Sequence, residues 1–314
     1  MSSVRPPKTS RFRHSQLAFR RGENGAISIE EWVIRMGDLV ALMICAEQLK
    51  RVEGHRIAFQ LMDEGHKALR ADVLFKDTLD DILTTEGPGY GLEDPGAPEL
   101  VDPGPLWIAA THHHGRHGGL VVPRLHFDPA VYQGPPLPEG PFVVFHPLFD
   151  PPYNKARGMD GTFVARLCRE LERTCGDRLI VITDQPGRIP PGIRTVTSTR
   201  VYDLIYLLGH ARVFIGGDTG FTHMAAAARV KHLFALYGEH YLQDFHTAFT
   251  RLVFKDAVLA FSAWGKYWGS GADTRPKCDP AETELHFQVL QGNGLPEAAV
   301  ASLGREVAAF LASP

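Results

Sequence analysis

The chain has 314 residues, of which 44% are hydrophobic and 22% are charged, and its formal net charge is −3. These values are typical of a globular protein with two domains, and they exclude a protein that binds nucleic acid through its overall charge. The four cysteines form neither a CxxC pair nor a disulfide framework, which favours a reducing compartment. No apolar run has the ~18 residues of a membrane span, and the first residues lack the apolar core of a signal peptide, so we expect a cytoplasmic protein.

The N-terminal segment is basic. Its first 21 residues contain six arginine or lysine residues and no acid. We expect residues 1–14 to form a flexible tail, and two interpretations stay open for it: a solvated tail, or a segment that touches an anionic membrane surface.

The first half of the chain, residues 1–134, is predicted to be one domain. Gly and Pro dominate residues 83–105, which we predict to be a long loop. Residues 132–141, "YQGPPLPEGP", are the clearest Pro/Gly segment, and we interpret them as an interdomain linker and hinge. Short apolar runs indicate strands at residues 55–61, 71–75 and 106–113.

The second half, residues 135–314, alternates between strand-like and helix-like segments. Its strands are expected at residues 141–147, 178–184, 212–218 and 231–238, and its helices at 161–175, 201–211, 221–230 and 296–312. This alternation predicts an α/β domain with right-handed βαβ units and a parallel sheet. The last helix, residues 296–312, is expected to pack back on the first domain.

The segment "RVFIGGDTGFTHMAAAARV" joins a predicted strand to a predicted helix through a Gly-rich turn. In a parallel sheet, ligands bind beyond the carboxyl ends of the strands. Gly217 and Gly220 let the backbone approach a ligand closely, and the N-terminus of the following helix favours phosphate. Thr219 and His223 would face the same anion, whereas Asp218 is better suited to accept hydrogen bonds from sugar hydroxyls. A capped turn without a ligand is the alternative interpretation.

The run "DTGFTHMAAA" resembles the Asp-Thr-Gly-x-Ser/Thr-His-x-Ala-Ala motif of the heptosyltransferase-like glycosyltransferases, glycosyltransferase family 9. The resemblance implies a GT-B fold, in which two Rossmann-like domains with parallel sheets face each other across a cleft. It also implies that the second domain binds a nucleotide diphosphate-sugar, with Asp218 on the sugar hydroxyls and with Thr219 and Gly220 on the diphosphate. An ADP-sugar is the favoured donor substrate, and no further cofactor is implied.

The resemblance implies other donor contacts through less specific motifs. The family has a lysine in the loop after the first strand of this domain, and Lys155 and Arg157 lie in that loop here. Two cations beside a pyrophosphate would offset its charge. Asp184, after the next strand, takes the place of the family's ribose-binding glutamate. Glu239 lies in "YGEH", which replaces the family's usual Gly-Pro-Thr turn at the donor site.

The general base is expected from the first domain, because a carboxylate must take the proton of the attacking acceptor hydroxyl. In the family an aspartate follows a glycine at the start of the first helix, and Gly37-Asp38 in "VIRMGDLVALMICAEQ" fits this pattern. A competing interpretation begins a long helix at Ser28, with Ser28 and Glu31 as a capping box. Glu23 is then the acid at the domain edge. Asp38 is the favoured base, and Glu23 is the alternative.

The sequence thus predicts an inverting glycosyltransferase that moves a heptose or related hexose from a nucleotide diphosphate-sugar to a glycan, lipid-linked or small-molecule acceptor. No metal is expected, because there is no Asp-x-Asp pair and the histidines between His112 and His117 are better explained as a solvated loop. Two alternatives stay open. One is a non-hydrolysing sugar-nucleotide epimerase on the same fold, and the other is a non-catalytic nucleotide-sugar-binding protein.

Overall fold

The structure is a computed structural model of the chain. It describes residues 17–21, 27–31, 36–51, 54, 56–61, 69–78, 81–83, 99–100, 124–149, 158–198, 200–217, 219–237, 261–262 and 297–313. The strands are β1 (Leu17–Arg21), β2 (Ile27–Glu31), β3 (Ile57–Leu61), β4 (Asp81–Leu83), β5 (Glu99–Leu100), β6 (Val143–His146), β7 (Leu179–Ile182), β8 (Thr195–Val196), β9 (Val213–Gly217), β10 (His232–Tyr237) and β11 (Phe261–Ser262). The helices are α1 (Met36–Arg51), α2 (Ala71–Leu74), α3 (Gly161–Cys175), α4 (Val201–Gly209), α5 (Gly220–Ala227) and α6 (Glu297–Ala312). None of the helices within these ranges is both long and apolar enough to span a membrane.

The strands from β6 onward form a parallel sheet. In the described part of the chain its order is β11-β10-β9-β6-β7-β8, and all neighbouring pairs run parallel. β6, β7 and β9 lie inside the sheet and are almost entirely buried, as expected for apolar strands that helices cover on both faces. The predicted α/β class and the parallel sheet of the second half are therefore confirmed.

The terminal helix α6 packs against α3, one of the helices that cover the parallel sheet. Val300, Leu303 and Val307 lie in the same apolar cluster as the buried face of α3, and α6 contacts α3 along its length. The ring of Phe310 stacks on His232 of β10, with 3.6 Å between the ring centroids. The apolar stripe of α6 thus faces the stripe of α3, and that this helix also packs back on the first domain stays a prediction.

The first five strands form a separate sheet with the order β4-β3-β2-β1-β5 in the described ranges. β2, β3 and β4 run parallel, as expected. β1 runs antiparallel to both β2 and β5, so this sheet is mixed rather than parallel throughout. Only five residues separate β1 from β2, and a parallel pair needs a crossover of a dozen residues or more.

β2 contradicts the alternative interpretation in which a long helix begins at Ser28. Ile29 lies in the middle of this strand, which pairs with β1 on one side and with β3 on the other. The alternation of Ile and polar residues in "ISIE" therefore has the period of a strand, and Ser28 and Glu31 form no capping box. The helix begins instead at Met36.

The predicted strand at residues 71–75 is also wrong. Ala71–Leu74 form the single turn α2. Arg70 precedes it in the left-handed conformation, with φ 57°, and its guanidinium donates two hydrogen bonds to Asp72 at 2.8 and 2.6 Å. Leu74 and Phe75 are fully buried. The apolar run that indicated a strand is thus the buried side of a short helix.

The segment predicted as the interdomain linker is anchored on α4 at its start. The ring of Tyr132 stacks on Tyr206, with 4.3 Å between the ring centroids. The amide of Gln133 donates to Asp203 Oδ1 at 3.0 Å. We therefore expect this part of the segment to move together with α4. The domain boundary after residue 134 and the hinge itself stay predictions.

Asp160 caps the N-terminus of α3, and its removal should destabilise the protein. Its Oδ1 accepts from the amides of Thr162 and Phe163 at 2.9 and 3.0 Å. Asp160→Ala leaves both amides without this partner, so we expect the free energy of unfolding to fall by about 1 kcal/mol, and by less in Asp160→Asn. Urea denaturation followed by circular dichroism measures the change. Asp177→Ala removes an exposed acid just beyond α3 and should stay within about 0.5 kcal/mol; an equal loss there would contradict the capping role.

Candidate functional site

The candidate site lies at the carboxyl edge of the parallel sheet. β6, β7 and β9 run in the same direction, so their last residues meet at one edge. His146 ends β6 and pairs with Gly216 of β9. The turn after β9 leads directly into α5. Ligands bind at this edge in open parallel sheets, and the motif "GGDTGFTH" lies on it.

Two glycines at the end of β9 lie where a side chain would have little space. A Cβ built on Gly216 would lie 2.6 Å from a ring carbon of Phe214 and 2.8 Å from Thr222 Oγ1. A Cβ built on Gly217 would lie 3.0 Å from Met159 Cε. A side chain at Gly216 would therefore displace Phe214 or Thr222, whereas at Gly217 the flexible end of Met159 would have to shift by a few tenths of an ångström.

Two threonines hold the start of α5. The Thr222 hydroxyl is buried and donates to the carbonyl oxygen of Gly217, which ties the end of β9 to the first turn of the helix. The Thr222 amide donates to the Thr219 carbonyl oxygen at 3.1 Å. Its distance from Thr219 Oγ1 is 3.4 Å, longer than the usual 2.9–3.0 Å of a capping bond. The Thr219 hydroxyl thus lies at the N-terminus of a helix, where an anion is favoured.

The N-terminus of α1 meets the N-terminus of α5. Met36 is the first residue of α1 and Gly220 is the first of α5, and a Cβ built on Gly220 would lie 2.6 Å from Met36 Cβ. The two helices pack together, and Leu39 of α1 shares an apolar cluster with Met224 of α5. Asp38 lies in the first turn of α1. The structure therefore brings this turn, from the first half of the chain, beside the Gly-rich turn of the second half.

His146, which the sequence motifs did not predict as a site residue, also lies at this edge. Its Nδ1 lies 3.4 Å from Thr219 Oγ1, and its ring packs against Phe221 with 4.7 Å between the centroids. Desolvation lowers the pKa of His146 to about 4. The imidazole is therefore neutral at pH 7, with one ring nitrogen as a donor and the other as an acceptor.

Asp184 is exposed directly after β7, at the same edge of the sheet. The buried Thr183 before it accepts from the Gln185 amide through Oγ1 at 3.0 Å. The Thr197 hydroxyl donates to the Thr183 carbonyl oxygen at 2.7 Å. These bonds fix the turn that presents Asp184. Its role on the nucleotide ribose stays a prediction.

The other predicted residues fall into two groups. Those that the structure describes lie together on the turn and the first turn of α5: Gly217, Thr219, Gly220 and the half-buried His223. Those outside the described residues are Glu23, Lys155, Arg157, Asp218 and Glu239, and so are the histidines between His112 and His117. Within the described ranges, no three His, Cys, Asp or Glu side chains are placed to hold a metal ion.

Two residues of this candidate site, Met36 and His146, were not predicted from the sequence. Met36 is an ordinary apolar residue whose contact with Gly220 joins distant parts of the chain, and no local pattern marks it. His146 did carry a signal, because the histidine of "VVFHP" ends a predicted strand at the edge where ligands bind.

One protein-family model matches the segment that contains the Gly-rich turn. The sequence model described as glycosyltransferase family 9 (heptosyltransferase) matches residues 190–253. The match includes α4, β9, α5 and β10 and therefore the whole Gly-rich turn. The resemblance to this family is confirmed for this segment. No curated protein matches the chain.

Solved structures of several glycosyltransferases have a distantly similar fold. The bacterial iron-containing dodecameric glycosyltransferase TibC from enterotoxigenic E. coli H10407 is 18% identical, with a TM-score of 0.46; the match covers 67% of this chain but only 56% of TibC. The E. coli ADP-heptose LPS heptosyltransferase II is 14% identical, with coverage of 89% and 97% and a TM-score of 0.45. The E. coli heptosyltransferase WaaC, solved with ADP-2-deoxy-2-fluoro heptose, is 10% identical, with coverage of 88% and 97% and a TM-score of 0.45.

The contact at Gly220 can be tested with a matched pair of glycine substitutions. Gly220→Ala places a methyl group against the rigid Cβ of Met36, so α1 and α5 must separate. We expect the free energy of unfolding to fall by about 1–3 kcal/mol. Gly187→Ala adds the same methyl group where nothing lies within 4 Å, and it should stay within about 0.5 kcal/mol. Urea denaturation measures both, and equal losses would disprove the close contact.

The lowered pKa of His146 predicts a pH dependence of stability. Between about pH 6.5 and pH 4 the unfolded chain binds a proton at this histidine and the folded chain does not. Stability should therefore fall as pH falls through this range, by up to roughly 1.4 kcal/mol per pH unit for one such group. His146→Asn lacks this group, so its stability should fall less between pH 7 and pH 4.5 in urea denaturation. Identical pH profiles for the two proteins would show that His146 is not desolvated.

Proposed function

We propose that this protein is an inverting glycosyltransferase of the GT-B type. It transfers a heptose or related hexose from a nucleotide diphosphate-sugar, with an ADP-sugar favoured, to an acceptor hydroxyl. The observation that carries the proposal is the contact of Met36 with Gly220, which joins the starts of α1 and α5 at the carboxyl edge of the sheet. The family match over residues 190–253 supports the same class of enzyme.

The donor substrate lies on the second half of the chain in this proposal. Its diphosphate occupies the N-terminus of α5, where the Thr219 hydroxyl and the free N–H groups donate to it. Lys155 and Arg157 offset the remaining charge. Asp218 accepts from the sugar hydroxyls, and Asp184 accepts from the ribose.

The reaction is a single displacement at the anomeric carbon. Asp38 takes the proton of the acceptor hydroxyl, whose oxygen attacks the anomeric carbon on the face opposite the diphosphate. The bond from that carbon to the diphosphate oxygen breaks, and the configuration inverts. The nucleoside diphosphate leaves with the bonding electron pair, and the donors at the start of α5 stabilise its charge without a metal ion. Glu23 is the alternative base.

The acceptor side belongs to the first half of the chain. The acceptor is a glycan, a lipid-linked compound or a small molecule with a free hydroxyl. We also propose that the protein is cytoplasmic. Its basic segment, residues 1–14, contacts an anionic membrane surface when the acceptor is lipid-linked.

The test separates binding from chemistry and needs no acceptor. Titration calorimetry with ADP, GDP, UDP and dTDP should show the tightest binding for ADP. Slow hydrolysis of an ADP-sugar, with water as the acceptor, should release a sugar of inverted anomeric configuration in NMR spectra, also in the presence of EDTA. Asp38→Asn should keep the affinity for ADP within about twofold and lower this turnover by roughly 10²–10⁴. Asp177→Asn is the matched control and should change neither quantity.

Each other outcome points to a different conclusion. If none of the four diphosphates binds, the proposal is wrong. If ADP binds but an ADP-sugar is turned over neither with water nor with any glycan, lipid-linked or small-molecule acceptor, the protein is a non-catalytic binder. If the sugar is epimerised on the intact nucleotide, it is an epimerase. If Glu23→Gln abolishes turnover and Asp38→Asn does not, Glu23 is the base.

A further inference from the structure

The Thr219 hydroxyl is surrounded by three polar atoms of the protein. His146 Nδ1 lies at 3.4 Å, the Thr222 amide nitrogen at 3.4 Å and Thr222 Oγ1 at 3.5 Å. The Thr222 hydroxyl gives its own proton to the Gly217 carbonyl oxygen. The amide can only donate. Thr222 Oγ1 can still accept the Thr219 proton at 3.5 Å, but His146 Nδ1 is closer and is the only one of the three atoms that can either donate to Thr219 or accept from it. The protonation of Nδ1 therefore changes where the Thr219 proton points.

The two arrangements have opposite consequences for an anion. If Nδ1 carries the ring proton, His146 donates to Thr219 Oγ1, and the Thr219 proton is left to point toward a ligand or toward the more distant Thr222 Oγ1. If Nδ1 accepts, the Thr219 proton is used within the protein and only oxygen lone pairs face a ligand. A diphosphate oxygen accepts strongly from a hydroxyl donor and is repelled by lone pairs.

The position of the ring is fixed by the fold. His146 is the last residue of β6, and its backbone pairs with Gly216 of β9, next to the turn. Phe221 packs against one face of the ring. These contacts hold Nδ1 beside Thr219, which a freely rotating side chain would not do.

We propose that His146 is a positioning residue, whose Nδ1–H group donates to Thr219 Oγ1 and so turns the Thr219 proton toward the diphosphate of the donor substrate. This inference rests on the proposed function, because it needs a diphosphate at the start of α5. His146 itself acts only through Thr219. A chain of two such hydrogen bonds is strengthened when each bond polarises the next.

The first experiment reads the protonated ring nitrogen and needs no nucleotide. The protein is labelled with ¹⁵N-histidine, and the His146 signals are assigned by their absence from the His146→Asn spectrum. We expect the proton on Nδ1 in the free protein and with ADP bound. A proton on Nε2 in the ADP complex would overturn the proposal.

The second experiment uses three substitutions of His146. Asparagine places an amide nitrogen as many bonds from Cβ as Nδ1 is, glutamine places it one bond farther, and leucine has no donor. We expect the dissociation constant for ADP to rise roughly 5–10-fold in His146→Gln and His146→Leu, the effect of one lost hydrogen bond to a charged network, and to stay within about twofold in His146→Asn. The affinity for adenosine, which has no phosphate, should stay unchanged in all three. An equal loss for adenosine, or no rescue by asparagine, would show a merely structural role.

The third experiment is a double-mutant cycle with Thr219. If His146 acts through the Thr219 hydroxyl, the losses of ADP affinity in His146→Leu and Thr219→Val should not multiply in the double variant. Multiplied losses would overturn the proposal. Urea denaturation of each variant identifies any that fail to fold, and His146→Gln replaces His146→Leu in the cycle in that case. If the wild-type protein binds no nucleoside diphosphate, the proposed function fails; if it binds ADP but the losses multiply, only the role of His146 fails.

Discussion

The arrangement of this protein depends on the close approach of two helix N-termini, which the absence of a side chain at Gly220 permits. A Cβ at that position would lie 2.6 Å from Met36 Cβ, so any other residue would force α1 away from α5. Because the helices meet here, Leu39 and Met43 are buried in the same apolar cluster as Met224. The contact brings the acidic first turn of α1, which includes Asp38, to the edge of a sheet formed by the other half of the chain.

The edge of the parallel sheet presents polar groups that the fold holds in fixed orientations. The described groups at the start of α5 are backbone N–H groups, the hydroxyls of Thr219 and Thr222, and the half-buried imidazole of His146, whose pKa desolvation lowers. Groups held in place by strands and helices do not have to reorient when negative charge develops on a leaving group. The close packing around Gly216 leaves little room for a side chain at the end of β9.

Local sequence patterns predicted the second half well and the first half less well. The expected helix at 161–175 has the limits of α3, because Phe163, Leu167 and Leu171 recur at helical spacing and form one buried stripe. The runs of β6, β7 and β9 could be predicted because strands covered on both faces are continuously apolar. In contrast, residues 71–75 and the segment around Ile29 have apolar patterns that suit either a helix or a strand. Pairing with β1 and β3 decided the second case, and this pairing is not encoded locally.

The sequence by itself determined the α/β class, the parallel second sheet and the Gly-rich turn with its resemblance to glycosyltransferase family 9, because these features follow from residues close together in the chain. Only the tertiary structure decided that α6 packs on α3, that the first sheet is mixed, and that Met36 and His146 belong to the site. His146 and Thr219 are 73 positions apart, and Met36 and Gly220 lie in different halves of the chain. Such contacts depend on how strands pair and helices pack, and no local pattern of side chains specifies them.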